Sequence, residues 1–521
     1  MNAGSRLGVL GALGITVSML VAACGAAPVS PSPSAAGTPA ESVAVPTPTG
    51  VMSPTASARP APTATPAPSA SVEGTSTARR GPWVPTRSLA GWVPSSIGAA
   101  VPLRDGGALA IGEWGMAAQR WDPATATWQE VAGLNATRRA FAAVQLRDGR
   151  VLVTGGLDTH DNDRWQAYSS TYVYDPTTPA GTWTKVGLLG TARVAPAAAL
   201  LPDGRVLVAG GAYKDGPPYE DAGSSGITLA ASRSIVPGPG TGEGRRFDDM
   251  APPDIGVALA TAELFDPSTG RWSPTGSMRF ARAGAVAATL SDGRVLVVGP
   301  GTSDIGAGWA EMDPRVFGTA ELYDPATGRF SLVGSLPPID RAEIAAAGVD
   351  LQEDPSWIDD PSWASEGTLV TLPDGGALLV GQSDEWKHMG YVTRTFRFDA
   401  RSGRWRQVGK ASVGFYSSDR ETWLQTPGVD LAGAFAAVLP DGRVLVAGGT
   451  TGGATGESEM SRVARLYDPV TNTWSRVPSM PKGRSGGVTV ALADGSILLI
   501  GGNETTPGGS AANAVRFVPS P

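Results

Sequence analysis

Four arginines stand at one recurring place in this chain of 521 residues. Arg138, Arg193, Arg282 and Arg484 each lie ten residues before the Asp of an Asp-Gly pair. Guanidinium forks match carboxylates bidentately, so a set of them at one repeated position would focus an anionic ligand group. The same arginines would otherwise cap their segments by hydrogen-bonding nearby loop carbonyls or a loop acid. Three further Asp-Gly pairs carry Ser95, Ala364 and Leu431 at that place. A second set joins aromatic rings to acids: Trp165 after Asp158, Asp161 and Asp163; Trp309 beside Glu311 and Asp313; Trp357 beside Asp354 and Asp359. Trp386 follows Asp384 and Glu385, and Trp423 follows Asp419 and Glu421. Flat rings beside carboxylates suit sugars, whose C–H faces stack and whose hydroxyls need acceptors. The same tryptophans would equally serve to anchor loops.

Other chemistry is excluded by scarcity. One Cys allows no intrachain disulfide, and one Cys with two His (His160 and His388) supplies no Cys/His zinc cluster. Two histidines also leave little for a Ser-His-Asp nucleophile. Asp158, His160, Asp161 and Asp163 offer spaced ligands for Ca²⁺ but lack the Gly and terminal Glu of an EF-hand loop. The reading therefore assigns no metal, no cofactor and no catalytic residue. A formal net charge of −7 argues against a nucleic-acid partner.

The lone Cys has a role of its own. Residues 1–23 read as a signal peptide, with Arg6 its one charge and an apolar run over Leu7–Leu20. The run ends in Val21-Ala22-Ala23-Cys24, which resembles the bacterial lipoprotein box. That resemblance implies a diacylglycerol on the Cys24 thiol and a chain held at a bacterial membrane, at the cell surface or in the periplasm. Residues 24–80 form a linker rich in Pro, Ala, Ser and Thr, with Glu41, Arg59 and Glu73 among few charges. Such a composition cannot bury a core and stays extended.

The elements that must position the arginines and tryptophans come from a repeat. Asp-Gly introduces a short apolar run at Asp105, Asp148, Asp203, Asp292, Asp374, Asp441 and Asp494, as in RVLVAGG after Asp203-Gly204. An aromatic-Asp-Pro turn and a second aromatic follow, as in Tyr323-Asp324-Pro325 with Phe330 and Tyr467-Asp468-Pro469 with Trp474. Further copies begin at Trp121, Tyr174, Phe265 and Phe398. Each copy reads as four strands, a to d, with Asp-Gly as the a–b hairpin turn. The coupled markers resemble the kelch repeat. The resemblance covers residues 81–521 and implies an all-β, seven-bladed kelch-type β-propeller. The seventh copy stops before a strand d, while residues 81–89 match Thr473–Met480, a strand d. The N-terminal strand is therefore expected to complete the last blade. In the fifth copy both Arg341–Val349 and Gly367–Leu372 resemble strand a; the second runs directly into Asp374-Gly375 and is preferred.

Insertions fall between strands b and c, over Leu157–Ser170, Ala212–Leu259, Thr302–Gly318, Gln382–Val392 and Thr450–Ser461, or between d and a, over Pro337–Glu366 and Lys410–Leu431. Both connections lie at one edge of a meander, so all should crown one face, where long loops are commonly functional. The arginines at the start of strand a should then ring the channel mouth. Galactose-oxidase-type enzymes are kelch-like propellers, but their copper site needs Tyr, His and a cross-linked Cys that this chain does not supply. The expectation is a monomeric, membrane-tethered module that binds a glycan or protein through the crown. The alternative is a metal-independent sugar-acid-modifying enzyme similar to bacterial sialate epimerases, with Arg138 or Arg193 holding a carboxylate and Glu343 or one of the loop acids as base.

Overall fold

A run such as Val206–Ala209, apolar at every position, must be covered on both faces. The computed structural model meets that demand with seven blades of four antiparallel strands set around a ring, six of them separate four-stranded sheets and the fifth part of a seven-stranded one. It describes residues 82–519 apart from 87–88, 90–96, 113–116, 135–137, 159–165, 214–256, 300–315, 317, 339, 347–362, 366, 387–389, 418–421, 426–432, 453–457 and 505–513. Blade 2 shows the pattern: strand a Ala142–Gln145, b Val151–Thr154, c Ser170–Asp175 and d Thr182–Leu188, hydrogen-bonded in that order. Every strand a touches the strand a of the next blade, and Val488–Ala491 of blade 7 returns to Ile97–Pro102 of blade 1.

No blade has a core of its own. Each apolar cluster draws on two blades or more. Val151 and Val153 pack with Leu109 and Ile111 of blade 1, while Leu152 of the same strand packs with Val206 and Val208 of blade 3. Successive side chains on a strand point to opposite faces, so one strand serves two interfaces. Ring closure follows the expected route. Trp83–Pro85 pairs with Ala514–Phe517 as the missing strand d, with Trp83 opposite Phe517. In blade 5, strand a is Thr368–Thr371, as preferred, and Arg341–Ala346 is a short α-helix. Among the described residues no helix is long and apolar enough to cross a membrane.

The two sequence markers are both turn devices. Each Asp of the Asp-Gly pairs is followed by Gly at φ between 81° and 94°, a conformation costly for other residues. Asp148 Oδ1 accepts the Arg150 N–H at 3.0 Å, and its other oxygen takes the Arg150 side chain. Asp203, Asp292 and Asp441 repeat this with Arg205, Arg294 and Arg443. Where Gly107, Gly376 or Ser496 replaces that Arg, a strand-c arginine takes over: Arg120 pairs with Asp105, Arg397 with Asp374 and Arg516 with Asp494. The aromatic residues of the second marker face each other across strands c and d in every blade, from Trp121–Trp128 at 5.4 Å to Trp83–Phe517 at 5.0 Å. Several indoles also reach the preceding blade: Trp183 Nε1 donates to Ala132 O, Trp272 Nε1 to Thr171 Oγ1 and Trp83 Nε1 to Pro478 O.

Two outcomes are expected. Trp83→Ala removes the ring facing Phe517 and the bond to blade 6, and should cost about 3 kcal/mol in urea unfolding. Trp83→Phe should cost less. The second concerns acid. Partial burial raises the Asp148, Asp203, Asp292 and Asp441 carboxyls, but hydrogen bonds from Arg150, Arg205, Arg294 and Arg443 outweigh it and hold them below their ordinary value of 3.8. A lowered folded pKa gives stability that is present above the unfolded value and lost as pH falls through the folded one. Stability should therefore be level near neutrality and decline below about pH 4. Changing these four Asp to Asn should flatten that decline in urea titrations run at successive pH values.

Candidate functional site

The edge where each strand a begins and each strand b ends is the one that carries the added chain. Strand b of blade 2 ends in Gly155-Gly156, and Leu157–Asp158 then pairs with Gln166–Ala167 as a ribbon outside the blade. Ala212–Tyr213 with Val257–Ala258, and Thr450–Gly452 with Ser458–Met460, do the same in blades 3 and 6. In blade 7, Arg484–Ser485 pairs with Asn503–Glu504. Blade 5 goes furthest: its strands b and c, Ala377–Trp386 and Gly390–Asp399, run on past the propeller and recruit three more strands. The described bases of the insertions thus share one edge, opposite the Asp-Gly turns.

At that edge the four recurring arginines are buried, between 0% and 3% exposed. Arg193 Nη1 donates to Gly210 O and Thr261 O, both at 2.8 Å, and its guanidinium reaches Thr261 Oγ1 and Glu263 Oε1. Arg282 repeats the set with Gly299 O, Thr319 O and Thr319 Oγ1, and pairs with Glu321 at 3.5 Å. Arg138 donates to Gly155 O, Ser170 O and Ser170 Oγ, with its guanidinium 4.0 Å from the Tyr168 ring centroid. Each fork therefore ties the ends of strands b and c to the start of strand a. Burial lowers the Arg193 and Arg282 pKa, which Glu263 and Glu321 oppose by charge and hydrogen bonding. This is the capping geometry. At this burial, with the forks bonded to carbonyls and carboxylates, Arg193 and Arg282 offer no open face to an anionic ligand. Ring focusing of a sugar acid by direct contact is corrected accordingly.

The arginine backbone works in the other direction, toward the preceding blade. Gly156, Gly211 and Gly449 donate their N–H to Arg193 O, Arg282 O and Arg484 O. Two residues after each arginine the chain turns left-handed, at Ala140, Ala195, Gly284 and Gly486. These positions are linked around the ring: Ala195 N–H donates to Ala140 O, Gly284 N–H to Ala195 O and Gly486 N–H to Gly433 O. Among the described residues these backbone links join blades 2, 3 and 4 and blades 6 and 7. Glu263 and Glu321 were legible as the odd charges in two buried AEL-aromatic-Asp runs, yet their pairing with Arg193 and Arg282 needed the fold. Each also accepts backbone N–H groups from the incoming d–a connection: Gly190 and Thr191 bond to Glu263, and Arg279 and Phe280 to Glu321.

The remaining candidates separate. Cys24, Trp165, Trp309 and Trp357 lie outside the described residues, as do His160 and His388. Trp386 and Trp423 lie on strands of the blade 5 extension. Glu343 sits in the short helix, where its carboxylate accepts from Gln407 Nε2 at 2.9 Å and Ala411 N at 2.7 Å. Both oxygens are thus engaged in holding blade 5. Among the described residues no group of three or more His, Cys, Asp or Glu is placed to hold a metal. Arg193→Met is expected to act on folding, because it leaves Glu263 buried without its partner. A loss of about 3–5 kcal/mol in urea unfolding is expected. Arg193→Lys should recover little, since a single ammonium cannot reproduce the fork.

Comparison with known proteins agrees with this architecture. The Kelch motif model matches residues 433–481, which span strands a to d of blade 6. No curated protein matches the chain. Among solved structures, a fungal alcohol oxidase of the AA5 family in complex with copper is 16% identical, with a TM-score of 0.51. The match covers 84% of this chain and 76% of the oxidase. At that identity the likeness is one of fold. YjhT is also 16% identical, over 72% of this chain and 93% of its own, with a TM-score of 0.41. With its seven blades closed by an N-terminal strand, the chain is a seven-bladed β-propeller that carries a Kelch motif in blade 6.

Proposed function

We propose that this propeller is a membrane-tethered, extracytoplasmic binding module that takes a glycan or protein ligand on its crowned face. One observation carries the reading: the described insertions leave from a single edge of a ring whose other edge is a uniform set of tight turns. A rigid scaffold with its sequence variation gathered on one side is the usual setting for recognition. The lipid on Cys24 and the linker over residues 24–80 would hold that face away from a bacterial membrane. Ring closure covers both faces of every blade and lets the module work as a monomer. A sugar-acid-modifying activity through Arg138 or Arg193 and Glu343 gains no support, because those groups are engaged within the propeller.

Thermal unfolding of the full chain in detergent tests the reading. A panel of neutral sugars, sugar acids, cell-wall fragments and Ca²⁺ should include at least one ligand that raises the midpoint. At a concentration of 100 Kd the stabilisation is about 2.7 kcal/mol. A flat response across the panel, together with no protein captured by cross-linking at the cell surface, would overturn it.

A further inference from the structure

The c–d turns lie on the same edge as the Asp-Gly turns, and one of them is irregular. From the Asp of the aromatic-Asp marker to the aromatic residue of strand d is six residues in blades 1, 3, 4, 5 and 6, as from Asp266 to Trp272. In blade 2, from Asp175 to Trp183, it is eight. The longer turn leans on blade 1: Ala132 N–H donates to Ala180 O at 2.7 Å, and Arg120 Nη1 to Pro176 O at 3.4 Å. Between this turn and strands Ala118–Asp122 and Thr127–Val131 of blade 1 lies a cavity of about 410 Å³. That volume suits a small ligand group.

The irregular turn comes with a cost. Tyr323 Oη shares a hydrogen bond with Thr275 Oγ1 at 2.8 Å, and Tyr467 Oη donates to Asn472 Oδ1 at 2.9 Å. The matching hydroxyl of Tyr174 in blade 2 is buried without a partner. Val131 stands where blade 3 has Thr275, and Gly181 stands where blade 6 has Asn472. A Cβ at Gly181 would collide with the Tyr174 side chain, so the turn admits no replacement partner there. Burial pushes the Tyr174 phenol up to about 12, so it stays a donor. A buried donor left unanswered is destabilising. Where an otherwise regular repeat accepts such a departure, function is the expected reason.

Two carboxylates, Asp105 and Asp122, and one guanidinium, Arg120, line the cavity, which leaves one negative charge in excess. Arg120 is engaged with Asp105 and Pro176 O. Asp122 accepts from Thr125 Oγ1 at 2.8 Å and from the Ala124 N–H at 2.9 Å, neither of them a cation. These bonds hold its carboxyl below the ordinary 3.8, so it is ionised at neutral pH. Gln129, Thr177 and Thr178 add an amide and two hydroxyls, and Pro123, Pro176 and Pro179 add hydrocarbon. Excess negative charge disfavours phosphates and sugar acids. An ammonium on an alkyl stem suits both parts of the lining, with three N–H donors for the oxygens and methylenes for the proline rings. We infer that this cavity is a site for a primary alkylammonium group, carried by a lysine side chain of a partner protein or by a free diamine. Asp122 takes the charge, Gln129 and the two threonines complete its acceptors, and the prolines flank the stem. The site lies on the edge opposite the crown and is separate from the crown ligand proposed above.

The test is calorimetric titration of the full chain in detergent with cadaverine and with Nα-acetyl-lysine methylamide. Nα-acetyl-norleucine methylamide and glutarate serve as the neutral and anionic comparisons. Saturable binding of both amines and of neither comparison is expected. Tighter binding of the lysine amide would assign the site to a protein partner, and tighter binding of cadaverine to a free diamine. Asp122→Asn should weaken the amines about tenfold or more. Asp266→Asn, at the same turn position in blade 3, should leave them within about twofold. Deleting Pro179 and Ala180, which restores the short turn, should abolish binding. If either cavity variant melts below the parent, Thr178→Val repeats the test with a loss of about threefold. The inference is overturned if neither amine binds, if binding survives the cavity variants, or if Asp266→Asn weakens it as much as Asp122→Asn. None of these outcomes bears on the crown, whose ligand panel is read separately.

Discussion

Every blade of this protein is apolar on both faces, and a sheet of that kind is stable only between two others. The constraint governs the rest. A row of such sheets would leave two bare apolar faces at its ends, and closing the row into a ring removes both. The cost is that no blade has an independent core, so stability is shared around the ring and depends on the last interface being made. Here the last blade borrows its outer strand from the other end of the sequence. Trp83 lies in the same cluster as Leu445 of blade 6 and Leu499 of blade 7, so the closing strand completes an interface as well as a sheet.

The two edges of the ring solve different problems with the same pair of residue types. At the turn edge, Asp and Arg meet in water, where an ion pair contributes little energy but helps hold a turn geometry. The exchange between a turn arginine and a strand-c arginine shows that the charge pairing matters more than which position supplies it. At the crowned edge, Arg and Glu meet in the interior. There the guanidinium answers buried carbonyls at the ends of strands b and c, and the carboxylate answers the N–H groups of the incoming chain. Together they let long insertions leave the propeller without exposing its backbone ladder.

Insertion chain is therefore free to vary, and in blade 5 it builds more sheet. Strands b and c there are ten residues each, against four for strand b of blade 2. The extension inherits its orientation from a rigid blade. That gives the added strands a fixed direction, which a free loop would lack.

Much of this was legible in the sequence because it is local. Asp-Gly needs a positive φ at Gly, an all-apolar run needs two covered faces, and seven coupled copies imply a closed ring. Residues 81–89 could be matched to a strand d because the Trp spacing repeats there. What the sequence left open is long-range. The recurring arginines were compatible with a ligand ring or with caps, and burial among the ends of strands b and c decided for caps. Glu263 and Arg193 are 70 residues apart, and nothing local pairs them. Trp386 and Trp423 looked like loop residues among their neighbouring acids, and only the fold shows that both stand on strands of one extended sheet. Register depends on which distant segment lies alongside, and a shift of one residue reverses every face. Only the tertiary structure supplies that information.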